Sequence, residues 1–363
     1  MGSPVADIPE EIGRHFIVGL SGPSLTDEEQ DLLRALKPLG VILRAHNFSS
    51  TKSYEGWLSD LSELEERVHA SLPRAAAVIA LDHEGGRVFR TPPPITHFPY
   101  ARDYCLKARE VAHAMGTELR SLGINLSFAP VADINSNPNN PVIGPRAFSS
   151  DSREVARAVA EFTNGLMAEQ IVPVAKHFPG HGDTSQDSHE ELPTIERSLE
   201  SIQKTELLPF RAAVEAQVPA ILSAHILFPL VDADFPATLS PLLLRQLARE
   251  HLGFKGVLIS DDLDMKAITD NYSDEEVALR APIAGCDILL FNHEPARALR
   301  IAQLTQQLLD DGQLDGDEFF ASSARIQHFL QSHVRLHVPH RLSEELLARH
   351  AGLRDSITVS GRI

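Results

Sequence analysis

The sequence predicts an α/β fold, a (β/α)8 barrel in a single domain with extra C-terminal helices, on three observations. Eight short apolar runs recur along the 363 residues, segments of helical periodicity separate them, and no G-x-G-x-x-G follows the first run, as a doubly wound dinucleotide fold would require. The runs are Phe16–Leu20, Val41–Leu43, Ala75–Leu81, Asn125–Pro130, Pro173–Lys176, Ala220–Ser223, Gly256–Ser260 and Cys286–Phe291. Each is apolar nearly throughout, as strands covered on both faces are.

Helical spacing follows at Glu154–Glu169, Glu200–Ala216, Leu242–Glu250 and Glu275–Ala284. Ser240-Pro241 reads as an N-cap with Pro at the first helical position, and Ser273 with Glu276 as a capping box closed at the far end by Gly285. Asp317–His350 has an amphipathic helical pattern and is expected to pack on the outside of the barrel. With no repeat or linker, residues 1–363 read as one domain, the barrel at about 14–312 and a helical tail at about 313–363.

Bulk composition narrows the setting. Hydrophobic residues make up 43% and charged residues 23%, which excludes a disordered chain. A formal charge of −17 argues against a nucleic-acid groove. No run approaches the roughly 18 apolar residues of a membrane span, and Met1–Arg14 is too polar for a secretory signal. Cys105 and Cys286 lie in apolar contexts without metal-type spacing and read as buried thiols of a reducing compartment. A cytoplasmic monomer without cofactor or metal, acting on a small molecule or oligosaccharide, is the expectation.

Polar residues gather where the strands end, the face on which barrels do their chemistry. The third run ends in Asp82-His83-Glu84-Gly85-Gly86, where the glycines imply a sharp bend or a close approach. The fourth runs into Asp133 and a loop reaching Arg146. The fifth opens a loop from Lys176 to His189 that holds Lys176, His177, His181, Asp183, Asp187 and His189. In it, Asp187 two residues before His189 can orient the imidazole and make it a better base. After the seventh run, strand alternation lets only one of Asp261 and Asp262 face the mouth. That carboxylate can attack an electrophilic carbon or help hold a metal, and the other binds backbone or caps a helix. Asp82 with Arg146, Lys176 and His177 supplies the acceptors and donors that a polyhydroxylated ligand needs.

The stretch Lys176-His177-Phe178-Pro179-Gly180-His181-Gly182-Asp183-Thr184, continued by Asp187-Ser188-His189 and Leu192-Pro193, resembles the signature of family-3 glycoside hydrolases. More narrowly, it is similar to the single-domain bacterial β-N-acetylhexosaminidases of the peptidoglycan-recycling type. Supporting matches are Asp82–Val88, Asn125–Asp133, Asn139–Phe148, His225, Pro236–Pro241 and Ser260–Met265. The resemblance implies a retaining β-N-acetylglucosaminidase with Asp261 as nucleophile and His189, held by Asp187, as acid/base. It also implies that Asp82, Arg90, Arg146, Lys176 and His177 bind the sugar. The chain departs from the family at His83, where Gln is usual, and at Arg44 and His46-Asn47, where an apolar residue and Arg-Asn are usual.

Three alternatives stand beside that reading: a phosphorylase of the same fold, a metallohydrolase using His177, His181, His189 and Asp261, and a barrel that binds sugar without turnover. The Phe178–Pro193 loop is expected to move, since Gly180 and Gly182 allow unusual backbone angles.

Overall fold

A computed structural model describes residues 7–74, 76–188 and 190–360. Ala75, expected at the head of the third strand, and His189, the expected acid/base, lie outside the described residues.

The eight runs form eight parallel strands: β1 (Phe16–Gly19), β2 (Gly40–Leu43), β3 (Val78–Leu81), β4 (Leu126–Ser127), β5 (Val172–Phe178), β6 (Ala220–Ser223), β7 (Val257–Asp262) and β8 (Ile288–Phe291). They pair in sequence order, and β8 closes on β1 through Phe16↔Leu289 and Ile17↔Leu290. The period of two is visible in the packing. Ile17, Ile42, Val78, Ala80, Leu126, Val174, Leu222, Ile259 and Leu290 fill the barrel, while Val18, Val41, Ile79, Leu81, Ile221 and Leu258 pack beneath the helices. Both sets are buried, which is why the runs show no polar alternation.

Several strands differ from the expected bounds: β3 and β8 start later, at Val78 and Ile288, β7 runs on to Asp262, and β4 and β5 differ for visible reasons. β4 is short because Pro130 has no N–H to donate, so past Ser127 the pairing survives only as single bonds such as Val174 N to Ala129 O at 2.9 Å. The side chain of Asn125 continues the ladder at the other end, accepting from Ile79 N at 2.9 Å and donating to Ala77 O at 2.8 Å. β5 is longer, and its pairing with β6 shifts register between Ala175 and Phe178, so Lys176 and His177 remain within the strand at the mouth.

The helices follow their signals. Ser273 and Glu276 form the capping box of Asp274–Ala284, and Gly285 closes it at φ +98°. Ser240 Oγ accepts from Leu243 N at 3.3 Å, at the head of Leu242–His251. The expected Glu200–Ala216 helix is two, Leu199–Lys204 and Leu207–Glu215.

The C-terminal segment corrects the expectation. It is two helices, Gly316–His333 and Glu344–Ser360. The first does not simply lie on the outer surface: Ile326 and Phe329, with Val334 just past its end, join the cluster that fills the barrel interior, so it closes the amino-terminal end. The second is tied by His350, whose Nδ1 lies 2.8 Å from the buried Glu118 carboxylate. Cys105 and Cys286 are buried free thiols. No helix among the described residues is long and apolar enough to cross a membrane.

Candidate active site

At the carboxyl ends of the strands lies a cleft of about 270 Å³, its walls including Asp82, Arg90, Lys176, His177 and Asp261. A cavity of about 330 Å³, lined by His15, Cys286 and Phe319 among others, is at the opposite end, beside the closing helix. His15 and Cys286 precede β1 and β8, and Phe319 belongs to the closing helix, so the cavity is away from the strand ends where the polar side chains converge.

An ionic centre underlies the cleft. Glu84, with a side chain 3% exposed, receives Arg146 through Nε at 2.9 Å and Nη2 at 2.8 Å. Lys176 Nζ lies 2.7 Å from Glu84 and 2.7 Å from Asp82. Burial alone would raise the Glu84 carboxyl, but the two cations hold it well below the carboxylate range. Burial likewise works against the Lys176 ammonium, and the Asp82 and Glu84 carboxylates hold it above its ordinary value. Lys176 is thus an ionised donor whose position is set by two carboxylates. Arg146 stands one layer back, fully engaged by Glu84 and by Val142 O at 3.2 Å.

The glycines after Glu84 are required by space and by angle. Gly85 and Gly86 have φ +91° and +54°, and a Cβ on Gly86 would stand 2.2 Å from the Tyr100 ring.

A second buried acid orients the β5 loop. Asp133 accepts the His177 amide at 3.2 Å and the His181 amide at 2.7 Å, and its Oδ2 lies 2.7 Å from His177 Nδ1. Burial would raise its carboxyl, but His177 and the amide donors hold it below its usual value. This pairing leaves His177 Nε2 to the cleft. His181 faces elsewhere: its nitrogens lie 2.9 Å from Thr184 Oγ1 and 3.2 Å from Ser188 Oγ, and burial lowers the imidazole to about 4. An imidazole with both nitrogens on hydroxyls is poorly placed to join His177 on a metal.

The rest of that loop is stitched to the one after β4. Asn137 Nδ2 donates to Thr184 O at 3.0 Å, and Asn140 Nδ2 to His181 O at 2.9 Å. Gly180 has the unusual angle expected of it, φ +137°, whereas Gly182 is needed for space: a Cβ there would meet Ile134 O at 1.5 Å. Asp187 is half-buried, and its carbonyl accepts from Glu190 N at 2.9 Å.

The two aspartates that end β7 differ in their commitments, although both line the cleft. Asp262 is buried and committed to backbone, accepting Asn292 N at 3.0 Å and Asp264 N at 3.1 Å, with His293 Nδ1 at 2.8 Å. Asp261 is half-buried on the cleft wall, its Oδ1 accepting Asp262 N at 2.8 Å. Behind them, His225 spans Thr238 Oγ1 at 2.8 Å and Asp262 O at 3.0 Å, so the Pro236–Pro241 stretch braces the β7 end.

Sequence reasoning brought Asp82, Arg90, Lys176, His177 and Asp261 to one cleft, and the structure does the same. That reasoning gave no role to Glu84 and Asp133, which hold Arg146, Lys176 and His177 in place. The available signal was spacing: Asp82 and Glu84, two apart at a strand end, share a face.

A parallel barrel whose strand ends bring carboxylates, a lysine, an arginine and an imidazole to one polar cleft has the build of a glycoside hydrolase. The chain belongs to glycosyl hydrolase family 3, whose N-terminal domain model matches residues 10–329. It is 34% identical over 330 residues to beta-hexosaminidase A of Pseudoalteromonas piscicida, covering 84% of this chain and 55% of that protein. It is 36% identical over 300 residues to a beta-hexosaminidase of Nitrosospira multiformis, covering 79% and 83%. The structure of a family 3 beta-N-acetylglucosaminidase from Paenibacillus sp. str. FPU-7 superposes with a TM-score of 0.87 at 31% identity, over 99% of this chain and 68% of that one. The chain thus spans little more than half of one matched relative and most of another.

Proposed function

We propose that this protein is a retaining exo-β-N-acetylglucosaminidase that removes terminal N-acetylglucosamine from cell-wall muropeptides or related oligosaccharides. The observation that carries the reading is one cleft, in a family 3 barrel, that unites Asp261 with the hydroxyl-binding set Asp82, Arg90, Lys176 and His177.

In the first step an Asp261 carboxylate oxygen bonds to C1 while His189, oriented by Asp187, gives its proton to the departing glycosidic oxygen. In the second, neutral His189 takes a proton from water, water bonds to C1, and the Asp261–C1 bond breaks. Arg146 acts through Glu84, setting Lys176 against the sugar. Barrel and tail helices work as one unit, since the helix Gly316–His333 supplies part of the interior. The enzyme works as a monomer in the cytoplasm, without metal or cofactor.

The test is hydrolysis of aryl N-acetyl-β-glucosaminide, glucoside and xyloside, with and without phosphate. The N-acetylglucosaminide is cleaved to free sugar in both buffers, and Asp261→Ala lowers the rate at least about a thousandfold. Sugar-1-phosphate as the product, or a fluorinated-sugar label on a peptide lacking Asp261, would overturn the reading.

A further inference from the structure

Beneath the β5 loop, outside the cleft, one cation is shared by two carboxylates on different elements. Arg197, just before the helix Leu199–Lys204, donates from Nε to Asp183 Oδ2 at 2.7 Å. Its Nη1 is 3.4 Å from Oε1 of Glu206. Glu206, at the head of the helix Leu207–Glu215, has a side chain 5% exposed, and neither carboxyl oxygen accepts a hydrogen bond. It also supports the turn from below, since a Cβ on Gly180 would stand 3.0 Å from Glu206 Oε2.

We propose that Arg197 is a positioning residue for proton transfer: its guanidinium, held between Asp183 on the loop and Glu206 under it, fixes the segment that carries Asp187 and His189. The proposal rests on the reading of that pair as the acid/base.

The loop's near end is fixed by Asp133 and by Asn137 and Asn140. Its returning limb is fixed by backbone pairing, Ile195 N to Leu227 O and Leu227 N to Pro193 O, both at 2.9 Å. Arg197 ties these limbs together, joining residue 183 on the outward limb to residue 197 on the return. A guanidinium suits this task because its planar fork directs one N–H to the Asp183 carboxylate while its charge still lies against Glu206, a fixed geometry that a lysine ammonium does not give. The balance of charge favours its staying ionised: the hydrogen bond to Asp183 raises Arg197. Burial pushes Glu206 up to about 7, lowered somewhat by Arg197 and raised further by Asp133 and Asp183. A carboxyl kept at such cost in a packed site, without a hydrogen bond, serves alignment better than stability.

Leaving-group dependence separates alignment of an acid from loss of structure. A dinitrophenolate departs without a proton, whereas a phenolate needs one. In Arg197→Ala, kcat/KM for phenyl N-acetyl-β-glucosaminide is expected to fall about tenfold to a hundredfold, the cost of misplacing a reacting group by about 1 Å. The 2,4-dinitrophenyl glycoside is expected to stay within about twofold. The near-isosteric Asp183→Asn gives the same pattern if the alanine variant folds poorly, and Arg197→Lys recovers part of the loss. Equal loss on both substrates, or no loss on either, would overturn the proposal. His189→Ala, run beside them, must show the same leaving-group dependence more strongly. Its failure to do so would bring down the acid assignment, and the proposal with it, and is told apart from failure of Arg197 alone.

Discussion

Replacing Glu84 by Gln tests whether the ionic centre under the cleft is what holds its cations. The side chain keeps its shape and loses its charge, leaving Arg146 and Lys176 with side-chain exposures of 9% and 4% against a neutral amide. Three charge-assisted contacts, at 2.9, 2.8 and 2.7 Å, are weakened or reversed where the amide N–H₂ faces a cation. Breaking a buried ion pair from one side costs about 3–5 kcal/mol, because the partner remains as an uncompensated charge. At roughly 2–3 °C per kcal/mol for a large domain, the melting temperature falls by about 6–15 °C. Adding Arg146→Met removes one stranded cation and returns at least about 1 kcal/mol, a coupling that independent sites would not show. Thermal melts of wild type, both single variants and the double variant, together with KM for an aryl glycoside, make up the assay. A Glu84→Gln melt within about 2 °C of wild type, or strict additivity in the cycle, would refute the reasoning.

Further outcomes follow from other parts of the molecule. His83 is buried with neither ring nitrogen bonded, and burial lowers it to about 4. It is therefore neutral in the fold and protonated when unfolded between about pH 4 and 6.5, so the stability tied to its neutrality is complete above that window and lost as pH falls through it. The loss is about 2 kcal/mol at pH 5, and denaturant titrations at pH 7.5 and 5 are expected to show a smaller difference by that amount in His83→Gln. An unchanged difference would refute it. Phe329→Ala empties the floor of the barrel and is expected to cost about 3–5 kcal/mol in urea unfolding, while kcat at 25 °C stays within about twofold; a cost below about 1 kcal/mol would mean the helix is not part of the core. Activity is expected to survive overnight dialysis against excess chelator, although Asp262, Asp264 and His293 beside the cleft have the spacing to hold an ion, because the proposed route needs only the carboxylate and imidazole groups; loss restored by one added metal would revive a metal-assisted reaction.

Much of the architecture was legible because each strand carries its own signal: a fully buried parallel strand must be apolar on both faces, and that shows in runs of about three to seven residues. The strand ends were legible for the complementary reason, since charged residues beside such runs need a use. What remained hidden depends on distance along the chain. Glu84 meets Arg146 across 62 positions, and Asp82 meets Lys176 across 94, and nothing local says which carboxylate takes which cation. The tail shows the same gap in another form. Ile326 and Phe329 make an apolar stripe, and a stripe reads the same whether it covers a helix layer or the end of a barrel. Gly182 was expected to matter for its backbone angle, yet the reason is the Ile134 carbonyl, supplied from 48 residues earlier.

That the floor of the barrel is made by the helix ending at His333 has a consequence for how the chain matures. On the ribosome, all eight strands are synthesised before the segment that seals them, so the nascent cylinder stands open at its base while about forty more residues emerge. Apolar side chains such as Leu39 and Val78 are then within reach of chaperones and of other nascent chains. A stop codon after residue 312 would leave that exposure permanent, and the product is expected in inclusion bodies rather than as a smaller working enzyme.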